Sequence, residues 1–131
     1  MAHIIHKSLD TLNPIDQRTF RNLLAEDETV VFVTEYVSTV IWDKIFGQIV
    51  GGNMYQYLTN KRVGRLDTTR DGSILTHRSE HVYLLNIVSV PLGEVQYSTK
   101  YGTFTGHINP KTKADKDFVV HALNDAITRH A

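Results

Sequence analysis

The chain has 131 residues, which suits one domain with its own core, and its 41% hydrophobic and 21% charged content is that of a folded globular protein. Fourteen Lys and Arg balance fourteen Asp and Glu, so no global field draws the chain to nucleic acid or to an anionic membrane. With no cysteine, disulfides, thiolate zinc sites and cysteine nucleophiles are excluded, and a reducing cytoplasmic setting is expected.

Residues 1–12 lack the apolar core of a signal peptide and are expected to be flexible. Asn13-Pro14 then reads as an N-cap followed by proline at the first helical position, with Asp16 placing negative charge in the first turn. This predicts a helix over 13–25. Its apolar stripe is Ile15, Thr19, Phe20, Leu23 and Leu24, and Asp16, Arg18 and Arg21 are expected to face water.

From Thr29 to Ile41 the residues become β-branched and aromatic, a long strand-like run. Gly47 and Gly51-Gly52 bound a loop or irregular hairpin, after which 54–58 reads as a strand and Thr59-Asn60-Lys61 as a tight turn. Asn60 suits that turn because asparagine tolerates a left-handed backbone. Further strands are expected over 62–67, 79–85, 86–90, 95–99 and 103–108, with an Asp71-Gly72 turn after the first of them. Beyond Pro110 the period turns helical, and Phe118, Val119, Ala122, Leu123, Ala126 and Ile127 form a broad stripe that predicts a helix over 114–129. No stretch is apolar and long enough to span a membrane.

The run Tyr57-Leu58-Thr59-Asn60-Lys61-Arg62-Val63 and the later Val82-Tyr83-Leu84-Leu85-Asn86-Ile87-Val88-Ser89-Val90 resemble the short bacterial pleckstrin-homology-like domains. Glu26-Asp27-Glu28 before the first long strand and the C-terminal amphipathic helix sit where that family has them. The resemblance implies a bent antiparallel seven-stranded barrel, here over 29–108, with a C-terminal capping helix; with the short N-terminal helix read from the residues, by which the chain departs from that family, the expected fold is α+β, mainly β. It further implies an adaptor or self-assembly module.

No nucleophile elbow, phosphate loop or dinucleotide fingerprint is present, so no catalytic, cofactor-binding or metal residue is assigned and no cofactor is expected. The spacings His3/His6 and His77/His81 are read as structural or surface histidines, and His107 and Glu35 as ordinary barrel residues. Two surfaces remain as candidates. Trp42, Ile45, Phe46, Ile49 and Val50 form an apolar cluster between glycines, the candidate interface. Lys61, Arg62, Arg65, Arg70 and Arg78 form a weak anion patch, interrupted by Asp67, Asp71 and Glu80. The expected function is a non-enzymatic module for protein association or self-assembly, a homo-oligomer docking through residues 42–50 and free strand edges. Membrane contact is at most weak and peripheral. The alternatives are a barrel holding a small molecule or lipid, and a small enzyme on another α+β fold.

Overall fold

The computed structural model describes residues 2–37, 53–75, 79–84, 87–89, 95–99, 105–108 and 110–129. Strands β1 (Ala2–His6), β2 (Val30–Val37), β3 (Met54–Thr59), β4 (Arg62–Asp67) and β5 (Glu80–Tyr83) form a five-stranded antiparallel sheet in chain order. A second antiparallel sheet comprises β6 (Ile87–Ser89), β7 (Val95–Thr99) and β8 (Thr105–Ile108). Helix α1 (Pro14–Leu23) follows a single 3-10 turn at Leu9–Thr11, and α2 (Lys113–Arg129) closes the described chain.

The closed seven-stranded barrel expected from the sequence is not what forms. Instead there are two open sheets of five and three strands, and among the described residues no ladder joins them. Closure needs a continuous, staggered ladder around the ring. Here β6 is three residues long and its register against β7 shifts between Ile87 and Ser89, and among the described residues no such ladder runs from one sheet to the other. Residues expected to be flexible supply the additional strand β1, which pairs with β2 from Ala2 to His6. Its anchors are a buried His3 and an Ile5 packed on the core.

Both faces of the larger sheet are covered. Phe32, Leu58 and Val63 share one cross-strand row, and with Leu84 they meet Ile108 of β8 and Val119, Leu123 and Ala126 of α2. The adjacent row of Val33, Tyr57 and Gly64, together with Tyr55 and Leu66, packs against Leu12 and Phe20 on the α1 side. Phe20 meets Tyr55 and Tyr57 edge to face, at centroid distances of 5.5 and 5.6 Å. Gly64 has a specific reason to be glycine: a Cβ there would lie 2.7 Å from Cε1 of Tyr57, whose ring crosses the strand at that point.

Helix α1 begins as its sequence dictates. Asn13 Oδ1 accepts the Asp16 N–H at 2.9 Å, and Pro14 occupies the first turn. The expected orientation is corrected, however. Asp16 is buried and Ile15 is 45% exposed, because the inward face is Asp16, Thr19, Phe20 and Leu23, an i, i+3, i+4, i+7 set led by a carboxylate.

Candidate functional site: an open sheet edge above a buried ion pair

Glu28 lies on the loop between α1 and β2, with its side chain almost fully buried. Its carboxylate takes a bidentate pair from Arg62, Nε to Oε2 at 2.9 Å and a terminal nitrogen to Oε1 at 3.0 Å. The Thr59 hydroxyl donates to Oε2 at 2.5 Å and the Ala25 N–H to Oε1 at 3.1 Å. A terminal nitrogen of Arg62 also donates to the Leu23 carbonyl at 3.0 Å, which ties the end of α1 to the β3–β4 hairpin. Burial favours the neutral acid, but the bonds from Thr59, Arg62 and the Ala25 N–H outweigh it and hold the Glu28 carboxyl below its ordinary value.

That hairpin turn also differs from expectation. Glycine 72 is the one described residue with a positive φ, so Asn60 does not adopt the left-handed backbone. Instead the Thr59 hydroxyl accepts the N–H groups of Lys61 and Arg62 at 3.1 and 3.0 Å. The Asn60 amide reaches across the loop, accepting the Thr29 N–H at 2.9 Å and donating to the Asp27 carbonyl at 3.2 Å.

On the α1 side, Asp16 Oδ2 accepts from Asn13 at 2.8 Å, from Asn53 at 3.0 Å and from the Tyr55 hydroxyl. Burial and the neighbouring Asp16 carboxylate raise the Tyr55 phenol, and burial pushes Tyr57 up to about 12. Nearby, His6 uses both ring nitrogens, bonding Thr11 at 2.7 Å through Nδ1 and Glu35 at 3.2 Å through Nε2.

Strand β5 is the last of the sheet among the described residues. Arg62 faces Tyr83, Val63 faces Val82 and Gly64 faces His81, with no shift in register. Leu84 N–H donates to the Lys61 carbonyl at 2.9 Å. Because antiparallel bonding alternates along a strand, Val82 and Glu80 also bond toward β4, so the N–H and C=O groups of His81 and Tyr83 point away from the sheet. Among the described residues no strand takes them. Tyr83 is 50% exposed, and its ring meets His81 edge to face with centroids 5.4 Å apart. Burial and the Arg62 charge hold His81 below its ordinary 6.5, so it is neutral at pH 7.

The sequence-predicted residues fare unevenly. Trp42, Ile45, Phe46, Ile49 and Val50 lie outside the described residues, as do His77 and Arg78. Of the anion patch, Lys61 pairs with Asp27 at 2.5 Å, Arg62 with Glu28, and Arg65 with the buried Asp67 at 3.3 Å, while Arg70 lies exposed on the turn that ends at Gly72. Arg62 and Arg65, three residues apart on β4, leave opposite faces of the sheet, and Lys61, Arg62 and Arg65 are each held by a carboxylate, so no single cationic patch forms from them. His3 is buried in β1 and His81 sits on the edge. The pairing of His81 and Tyr83 as outward residues escaped sequence reasoning, although their alternation about Val82 was the available signal.

Comparison with known proteins returns no matching family model, no matching curated protein and no matching solved structure. Among the described residues, no helix is long and apolar enough to cross a membrane.

Proposed function

We propose that this chain is a non-enzymatic module for protein association, homo-oligomerisation included, that works in the cytoplasm and uses the outer edge of β5 as a docking surface. One observation carries the reading: His81 and Tyr83 present outward backbone donors and acceptors beside an exposed aromatic pair, the arrangement that accepts an added strand. The resemblance to bacterial pleckstrin-homology-like domains, which act as adaptor or self-assembly modules, points the same way.

The space between the larger sheet and α2 favours this reading over a ligand cavity. Phe32, Leu58, Val63, Leu84, Val119 and Leu123 fill it, each at 1% exposure or less. Of the buried carboxylates, Asp16 and Glu28 are saturated by bonds that hold elements together and Asp67 accepts two bonds from Arg65, which favours a structural role over acid–base chemistry. Light scattering over a concentration series tests the proposal. A mass that rises above that of one chain, and that falls back in Tyr83→Ala with circular dichroism unchanged, is the expected result; a parent that stays monomeric and binds no partner strand removes it.

A further inference from the structure

Resting on the reading of β5 as a docking edge, we infer that its occupant is a second copy of the same strand, paired antiparallel about a two-fold axis at Val82. His81 then lies opposite Tyr83 of the second copy, and Tyr83 opposite its His81.

Hydrogen-bond parity selects this register. Only His81 and Tyr83 offer outward groups within Glu80–Tyr83, and a bonded pair must join outward residues on both strands. A two-fold arrangement can therefore centre on His81, Val82 or Tyr83. Centring on His81 pairs Tyr83 with Ser79, and centring on Tyr83 pairs His81 with residue 85, both outside the strand. The Val82 centre alone uses both outward residues on both copies. It gives two bonded pairs that exchange two bonds each, hence about four backbone bonds.

The side chains agree with that register. Across a bonded antiparallel pair, Cα atoms are about 5.5 Å apart, so Tyr83 and His81 of opposite copies become neighbours on one face, as the two rings already are within the strand. A strand pairing with itself is an isologous contact, in which each side offers what the other accepts. Charge does not oppose it. The formal net charge is zero, and Arg62, the cation beside Tyr83 in the ladder, is neutralised by Glu28.

Of the devices that keep edges solitary, the strand carries neither proline nor lysine, and it pairs with β4 without a bulge; its length of four residues and Glu80 are the features that oppose pairing.

Proline substitution tests the geometry selectively. At His81 or Tyr83 it removes an outward N–H and leaves the bonds to β4 intact, a position at which edge strands tolerate proline. In sedimentation velocity of the full chain, His81→Pro and Tyr83→Pro are each expected to weaken dimerisation by roughly tenfold or more, with far-ultraviolet circular dichroism unchanged. As a second measurement independent of folding defects, an acetylated and amidated peptide of residues 79–84 is expected to compete and return the parent to the monomer mass. A dimer insensitive to the peptide and to whichever proline variants fold overturns the Val82 register and leaves association through another surface standing. A parent that is monomeric throughout overturns the register and self-association together.

Discussion

Replacing Glu28 with glutamine tests whether the buried pair with Arg62 holds the fold, because the substitution keeps size and shape and removes the charge. The carboxylate accepts four bonds, two from Arg62, one from Thr59 and one from the Ala25 N–H. A glutamine amide keeps one acceptor oxygen. Whichever way it is turned, its NH2 faces two donors, so two bonds are lost and the guanidinium is left buried without a counter-charge. Removing one partner of such a pair costs about 3–5 kcal/mol, a large share of the about 5–15 kcal/mol that holds a domain together. Urea titration followed by circular dichroism should show the midpoint of Glu28→Gln falling by roughly 1.5–2.5 M, at a slope of about 2 kcal/mol per molar. The pH dependence has a definite sign. The folded carboxyl lies below its ordinary 4.5, so its stabilisation is complete above that value and is lost as the pH falls through the folded one. Parent and variant should therefore converge only below pH 4.5. A loss under about 1 kcal/mol at pH 7, or a gap that persists unchanged in acid, would refute the reasoning.

Four further outcomes follow from the packing and charge pairing. Gly64→Ala forces a Cβ into the Tyr57 ring and should cost about 1–3 kcal/mol, read as a lower thermal midpoint; an unchanged midpoint would mean that the ring moves aside freely. Leu123→Ala opens a hole beneath α2 and should cost about 2–5 kcal/mol, and truncation before Asp115 should yield unfolded or insoluble protein, whereas a soluble truncation with its strand signal intact would make the helix an accessory. Inositol phosphates and anionic vesicles should bind weakly, since Lys61, Arg62 and Arg65 are each paired with a carboxylate; salt-sensitive, sub-micromolar sedimentation with vesicles would contradict this.

Local signals proved the most legible part of the sequence. The Asn13-Pro14 start of α1, the bounds 62–67 of β4 and 95–99 of β7, and the C-terminal helix were all readable from caps, alternation and period. What could not be read depends on tertiary partners. Strand β1 has only His3-Ile4-Ile5-His6 to announce it, and pairing with β2, not propensity, makes it a strand. Asp16 looked like a solvated first-turn acid, but Asn53 and Tyr55, almost forty residues away in sequence, accommodate it in the interior. Arg62 and Lys61 looked like a cationic patch for the same reason, since their counter-charges come from the distant Asp27 and Glu28. The barrel failed as an expectation because strand count and spacing do not encode whether two ladders join.

The aromatic seam between α1 and the sheet also sets an alkaline limit on this molecule. Tyr55 and Tyr57 hold their phenolic protons more tightly when folded than the ordinary value of 10, Tyr57 up to about 12. A group whose folded value is raised stabilises fully below its unfolded value, and that contribution drains away as the pH climbs toward the folded one. Above pH 10 both phenols therefore lower the stability of the fold. Both become phenolate once they are released, so the near-ultraviolet absorbance of tyrosinate records the unfolding itself.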